Sequence, residues 1–266
     1  MTTVKALYAG VGFNKLFTTA QPKLNKSTKY GYLSAGLSFA PASTSGRNVC
    51  PHSTPGCRAL CLTYSGQGGI GLNEDNINPC QLARINRTRL FYSDPERFWE
   101  MFEREMNLHI RRASKEGLTP EFRPNVYSDI LWERVPTAGL YDNMFQLFPS
   151  VEFHDYTKVP YRHRPTEALP RNYHLTMSLA ESNDAECMVA LEKGRNVAAV
   201  FRGGLPESFG GYPVINGDEH DLRFLDQGPC IVGLTVKGDK AKRSDSPFIR
   251  NASDPGFQLT PQRKAA

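Results

Sequence analysis

The second half of the chain alternates short apolar runs with segments of helical periodicity. Five apolar segments predict strands, at residues 122–130, 151–157, 172–179, 195–201 and 230–236. Two segments between them, at 138–148 and 182–194, carry the spacing of amphipathic helices. Strands separated by helices pair in parallel, because the chain needs a crossover to return to the same end of the sheet.

The first half predicts one strand and two consecutive helices. Residues 32–41 alternate small and apolar side chains, as a strand does, and residues 81–92 and 93–117 have helical spacing. Asp94 is suited to cap the second helix and Gly117 to end it.

Five or six strand–helix units predict a single α/β domain over residues 1–266. The expected architecture is a parallel (β/α) barrel or partial barrel of the TIM-barrel type. A doubly wound open sheet is the alternative. The chain has no strand–GxGxxG–helix fingerprint, which disfavours a dinucleotide site.

Composition indicates an ordinary globular protein: 39% of the residues are hydrophobic and 22% are charged. The sequence contains no run of about 18 apolar residues, and its first segment lacks the apolar core and cleavage site of a signal peptide. We therefore expect a cytoplasmic protein that does not enter a membrane. The net charge of +5 permits an anionic small molecule, a nucleic acid or a host protein as partner and requires none of them.

Candidate metal ligands crowd into a polar loop of about residues 41–80, directly after the first predicted strand. Cys50, Cys57 and Cys61 have the spacing C-x6-C-x3-C, and Cys80 follows. Soft thiolates favour iron–sulfur clusters, zinc or Cu(I). We expect the first three cysteines to bind a [4Fe–4S] cluster, whose fourth iron is open or held by Cys80 or a non-cysteine ligand. Structural zinc, completed by Cys80 or His52, and unliganded thiols are the alternatives.

The same loop continues into SGQGGIG. Gly66, Gly68 and Gly69 would let backbone N–H groups approach a bound cofactor closely. The alternative is a plain flexible loop.

Polar side chains follow several predicted strands, at the ends where parallel α/β folds carry their chemistry. Asp129, Asp155 and Lys237 are the candidate catalytic residues, with a structural role in a loop or strand end as the alternative for each. Lys158, on the same strand end as Asp155, is a further candidate, with a structural role as the alternative. His154 and His174 lie within strands and are expected to be hydrogen-bonded core residues.

An acidic segment, NGDEHDLRFLD, is a second candidate metal site. It places Asp218, Glu219, Asp221 and Asp226 around one histidine and Arg223. Carboxylates near a histidine suit a divalent ion. An acidic turn with its arginine paired internally is the alternative.

Several motifs in order resemble a family of phage-encoded proteins, the gene-product-eighty-eight family. They are CPHSTPGCRALCLTYSG, ARINRTRLF, NVYSDILWE, VEFHDYTKVP and INGDEHDLRFLD, and the resemblance spans roughly residues 33–237. It implies a cluster-bearing barrel similar to radical-SAM enzymes, with ligands at Cys50, Cys57 and Cys61. Cys80 is not part of that motif. Radical-SAM enzymes usually have C-x3-C-x2-C in this loop, so SAM as a ligand rests on fold analogy alone.

Two functions are expected from this combination. The first is an iron–sulfur phage protein, a radical-SAM-like or redox enzyme acting on a small molecule in the host cytoplasm. The second is a non-enzymatic protein whose metal stiffens a loop that binds a host protein or nucleic acid. An open iron beside a deep polar pocket favours the first, and a fully ligated metal on a flat basic face favours the second.

Overall fold

The structure is a computed structural model that describes residues 4–19, 26–139 and 141–257. The described α-helices are α1 Val4–Leu7, α2 Pro55–Ala59, α3 Pro79–Ser93, α4 Pro95–Glu116, α5 Met144–Leu147, α6 Asp184–Glu192 and α7 Asp239–Lys242. The described strands are β1 Phe17–Thr18, β2 Tyr32–Leu37, β3 Thr119–Arg123, β4 Glu152–Thr157, β5 Tyr173–Ser178, β6 Val197–Arg202, β7 Ser208–Phe209, β8 Tyr212–Asn216, β9 Ile231–Thr235 and β10 Ile249–Asn251.

The strands form one mixed sheet of ten strands in the order β1-β2-β3-β4-β5-β6-β9-β8-β7, with β10 also paired to β6. The pairs from β2 to β6, and those of β9 with β6 and β8, are parallel, as the alternation of strands and helices predicted. β1 and β7 pair antiparallel with β2 and β8. The prediction of a parallel barrel is wrong: antiparallel hairpin strands form both ends, and in the described chain no pairing joins them into a closed sheet.

β6 accepts strands along both edges. β9 pairs with residues Val197 to Phe201 on one edge. On the other edge β5 reaches only Val197 and Ala198, and β10 pairs in parallel with the rest of the strand, from Val200 onward. After α7 the chain therefore returns as β10 and pairs with the part of the β6 edge that β5 does not reach.

The helical face of the sheet holds an aromatic core. Phe102 of α4 packs on Phe122 of β3 with ring centroids 5.5 Å apart, and Phe122 contacts Phe153 of β4 at 6.1 Å. All three side chains are fully buried. α4 is anchored at its start by Asp94, whose carboxylate accepts from the backbone N–H of Arg97 at 3.2 Å. None of the described helices combines the length and the apolar character that crossing a membrane requires.

The opposite face of the sheet is polar, because alternate residues of each strand point there. His154 Nε2 lies 2.7 Å from Glu121 Oε1, and both side chains are buried, in keeping with the interpretation of His154 as a core residue. His174 lies 3.0 Å from Glu152 with its side chain 38% exposed, so the prediction that it is a core residue is wrong. Phe224, from the segment between β8 and β9, covers this face and contacts the rings of His154 and His174. This covering segment leaves the carboxyl ends of the strands open.

Candidate metal centre

A cavity of about 530 Å³ lies at the carboxyl ends of the parallel strands. The loops after β2, β3 and β4, the ends of β5, β6 and β9, and residues of α7 and β10 form its walls. Parallel strands bring their carboxyl ends to one side of a sheet, so segments far apart in sequence meet here.

Three of the six cysteines line this cavity: Cys50, Cys57 and Cys61. Cys187 and Cys230 are fully buried in apolar clusters of the core. Cys80 begins α3 and is not among the lining residues. The thiols predicted as ligands are thus separated by position from the other three.

The loop that carries Cys50 is held by its own backbone. Ala42 adopts a left-handed conformation with φ 48°, and its carbonyl accepts from the N–H of Val49 at 3.1 Å. The N–H of Ala42 donates to Cys50 Sγ, and the thiol donates to the carbonyl oxygen of Tyr127, both at 3.3 Å. These contacts aim the sulfur at the loop after β3.

Cys57 lies in α2, which Glu181 fixes from the loop after β5. Thr54 caps α2: its Oγ1 accepts from the N–H of Cys57 at 3.2 Å and donates to Glu181 Oε2 at 2.6 Å. The N–H of Gly56 donates to Glu181 Oε1, also at 2.6 Å. A Cβ on Gly56 would lie 2.9 Å from that carboxylate and 2.6 Å from Ser246 Oγ, so this close approach requires glycine.

Burial shapes the acidity of the lining thiols. It raises the pKa of Cys50 to about 12 and also raises the pKa of Cys61. The N–H of Thr63 donates to Cys61 and opposes that rise. A bound metal reverses the balance, because its positive charge favours the thiolate that coordinates it.

Within residues 4–19, 26–139 and 141–257, no three His, Cys, Asp or Glu side chains converge closely enough to hold one ion. The ligands of a zinc ion must all lie one bond length from a common centre. The cysteines of a [4Fe–4S] cluster each bind a different iron.

The candidate catalytic residues occupy different environments. Asp129 lines the cavity, but its carboxylate accepts from Thr157 Oγ1 and from the N–H of Lys158, both at 2.8 Å. Lys237 lines the cavity and pairs with Asp218 at 2.5 Å. Both side chains therefore already bind groups of the protein.

Asp155 lies beneath the cavity and is fully buried. It accepts from the N–H and the side-chain amide of Asn125, at 2.8 and 2.9 Å, and from Tyr173 Oη at 2.8 Å. Arg164 donates to the same Tyr173 oxygen and pairs with Glu133 at 2.7 Å. Asp155 belongs to a buried polar network that joins the loops after β3 and β4.

The three candidate glycines are not among the residues that line the cavity. A Cβ on Gly68 would lie 2.1 Å from the carbonyl oxygen of Thr63, and one on Gly69 would lie 2.2 Å from that of Tyr64. Gly66 has φ 56°. In the structure these glycines let the segment fold tightly back on the end of the cysteine loop.

The acidic segment between β8 and β9 spreads its carboxylates over separate basic partners. Asp221 pairs with Arg123 at 2.8 Å, and Asp226 lies 3.2 Å from Arg223 Nε. This arrangement matches the acidic turn with an internally paired arginine.

Sequence reasoning gave no role to Arg123 and Tyr156, which also line the cavity. Arg123 lies over the Tyr156 ring at 4.7 Å, and Tyr156 Oη donates to Asp221 at 3.1 Å. The alternation of side chains along a strand could have identified both residues. Phe122 and Phe153 face the helices, so Arg123, one residue after Phe122, and Tyr156, three residues after Phe153, face the opposite side. Lys158, directly after β4, was a candidate from its position at the strand end, and it lines the cavity.

Fold and site together define an α/β protein with an open, mostly parallel sheet and a cysteine-lined cavity at the carboxyl ends of its strands. The model of the gene product 88 family matches residues 12–252, so the chain belongs to that family. No curated protein and no solved structure matches the chain.

Proposed function

We propose that this protein is a phage-encoded iron–sulfur protein that binds a [4Fe–4S] cluster through Cys50, Cys57 and Cys61. We further propose that it acts as an enzyme of radical-SAM-like or redox type on a small molecule in the host cytoplasm. The observation that carries the proposal is that these three cysteines, and none of the other three, line one cavity. The membership of the gene product 88 family agrees with a phage origin.

The chemistry of the donors supports a cluster. Thiolates are the usual ligands of iron–sulfur clusters, and backbone N–H groups directed at their sulfurs tune such sites. Ala42 and Thr63 supply such donors to Cys50 and Cys61. When bound, a cluster with one open iron would supply an electron and a coordination position for a ligand.

The protein itself would bind and orient that ligand. The cavity volume of about 530 Å³ suits a small organic molecule. Its walls combine apolar side chains with Lys158, Arg123 and Tyr156, which can fix a polar group in one orientation.

The test is metal analysis after anaerobic, iron-replete expression. We expect brown protein with iron and acid-labile sulfide in near-equal amounts. Alanine at Cys50, Cys57 or Cys61 should abolish the iron content, because each thiolate is the sole protein ligand of one iron. Stoichiometric zinc without iron, or full iron content in all three variants, would contradict the proposal.

Matched controls come from the remaining cysteines. Cys187→Ala and Cys230→Ala should keep the cluster, since both thiols lie in the apolar core. Cys80→Ala distinguishes an open fourth iron, for which iron content is retained, from a fourth cysteine ligand.

Enzymatic use of SAM is tested separately. SAM is added to reduced protein, the cluster is followed by EPR, and 5′-deoxyadenosine is measured by chromatography. An unchanged spectrum without cleavage product would exclude SAM as the ligand. The cluster would then have a structural or electron-transfer role.

A second candidate function is favoured by the outer surface of the cysteine loop. Ile70 is 66% exposed and is not among the residues that line the cavity, while Leu62 and Tyr64 are exposed where they line it. A metal-stabilised loop presenting these side chains would suit the non-enzymatic alternative, binding of a host protein or nucleic acid. Copurification of a defined host partner that is lost on Ile70→Ser, with the metal retained, would favour this function.

A further inference from the structure

We propose that the cavity binds an organic anion, with a carboxylate or phosphate group on an apolar body, and that Lys158 binds the charged group. This deepens the proposed function by naming the class of ligand, and it rests on that function only in taking the cavity as a substrate site. The key residue is Lys158 rather than Lys237, to which the sequence directed attention.

The position of the Lys158 side chain is suited to binding a ligand in the cavity. It is half-buried and lines the cavity. Its Nζ donates to the neutral hydroxyl of Ser178 at 2.8 Å and lies 5.6 Å from the centre of the Phe248 ring. In the described parts of the chain, no carboxylate lies within ion-pair distance of this nitrogen.

Glu181 interacts with the Lys158 charge at longer range. A half-buried ammonium without a carboxylate in direct contact is nevertheless unfavourable, because burial removes water that solvates it. The backbone of Lys158 is fixed by its N–H, which donates to Asp129 at 2.8 Å. The side chain is thus held in the wall of the cavity, where an anionic ligand would supply a direct ion-pair partner. Asp129 acts as a positioning residue in this arrangement.

The other basic side chains that line the cavity already have an oxygen partner at contact distance. Arg123 pairs with Asp221 at 2.8 Å, and Lys237 pairs with Asp218 at 2.5 Å. Arg58, exposed at the mouth, donates to the backbone carbonyl of Ser53 at 2.5 Å. The lining therefore has an excess of positive charge, and Lys158 is its deeper contributor.

The rest of the lining indicates what the anion is attached to. The lining of the cavity also includes apolar side chains, among them Leu179, Val200, Phe248 and Ile249, of which Phe248 lies next to the Lys158 ammonium. A small inorganic ion would leave these side chains uncovered. An organic body attached to the anionic group would cover them and gain from the removal of apolar surface from water.

The experiment measures binding of three matched probes by isothermal titration calorimetry: phenyl phosphate, benzoate and neutral benzamide. We expect wild-type protein to bind one or both anions about tenfold or more tighter than benzamide, as charge-assisted hydrogen bonds require. The stronger of the two anions identifies the class as phosphate or carboxylate. Lys158→Met should abolish this preference and leave benzamide binding unchanged.

Three variants keep the test specific. Lys240→Met removes the same charge from an exposed site on α7 and should leave all affinities unchanged. Lys158→Arg should retain the anion preference, which shows that a loss in Lys158→Met does not come from misfolding. A larger loss in Lys237→Met than in Lys158→Met would overturn the assignment.

Iron and sulfide are measured on the same preparations, which separates this inference from the cluster. Loss of iron in Lys158→Met with unchanged anion binding would mean that Lys158 neutralises the thiolates, and it would overturn the inference. Wild-type protein that binds benzamide as tightly as benzoate and phenyl phosphate would also overturn it. Anion binding that depends on Lys158 in protein free of iron would uphold it while removing the cluster.

Discussion

Replacing Asp155 with alanine should destabilise the protein by about 3–5 kcal/mol, as expected for breaking a buried charged network. The carboxylate accepts three hydrogen bonds from buried donors, two from Asn125 and one from Tyr173. Each buried donor left without an acceptor costs about 1–3 kcal/mol. The sum is reduced because neighbouring groups relax together.

The same carboxylate gives a dependence on pH. Burial raises the pKa of Asp155 from its usual 3.8 to about 6 in the folded protein. The folded state therefore binds this proton more tightly than the unfolded state does. The stabilisation of the folded state by this bound proton is complete below about pH 4 and is lost as the pH rises through 6. The free energy of unfolding should fall by roughly 3 kcal/mol over this range.

Two variants and one assay test this reasoning. Asp155→Asn removes the titrating group, so the unfolding free energy of wild type minus that of Asp155→Asn should fall between pH 4 and 7. Urea unfolding can be followed by Trp132 fluorescence, since its indole donates to Asn125 at 3.1 Å. Asp245→Ala, at an exposed aspartate, is the control and should change stability by less than about 0.5 kcal/mol. A loss below about 1 kcal/mol in Asp155→Ala would refute the proposed network.

Three further substitutions test the support of the site and the core. Gly56→Ala should cost about 1–3 kcal/mol in thermal unfolding, because the new Cβ meets Ser246 and Glu181, and a neutral result would contradict that crowding. Glu181→Ala should cost about 1–2 kcal/mol and lower iron content, since Thr54 and Gly56 lose their shared acceptor; unchanged iron would separate α2 from metal retention. Phe102→Ala should cost about 3–5 kcal/mol in urea unfolding, as expected for a fully buried aromatic, while a loss near 1 kcal/mol would indicate a collapsible core.

The local elements of the fold were accessible from sequence because local signals determine them. The spacing of Phe98, Phe102 and Met106 predicted α4, which ends at Gly117 with φ 68° as expected for a terminating glycine. β4, β5 and β6 were located by their apolar runs. The predicted strand at 122–130 was displaced: β3 ends at Arg123, and the following residues form a turn tied to Asn125.

The arrangement of the strands was not accessible in the same way. Whether a parallel sheet closes depends on pairings between segments far apart in the chain. β1, β7 and β10 have two or three residues each, too few for a periodic signal. The antiparallel strands β1 and β7 nevertheless form the two ends of the sheet and make it open rather than barrel-like.

In the candidate site, too, the positions of the residues could be predicted from sequence but their partners could not. Position after a strand predicted that Asp129, Lys237 and the cysteine loop would meet, and they line one cavity. Position in the sequence could not predict which group each side chain would bind, because contacts between distant segments determine those partners. Asp155 is hydrogen-bonded beneath the cavity floor, and Lys237 is paired with Asp218. Lys158 carries the same charge without a carboxylate partner within the described residues.

The late return of β10 to the edge of β6 has a consequence for biosynthesis. The cavity walls run from Pro41 to Ile249, so the chain must have left the ribosome through at least Ile249 before the cavity can close. Any machinery that loads a cofactor into the closed cavity would act only after β10 has emerged. Until β10 docks, the N–H and C=O groups at the end of β6 are exposed as an edge that other chains could pair with. Newly made protein is therefore most vulnerable to aggregation in the interval before that strand arrives.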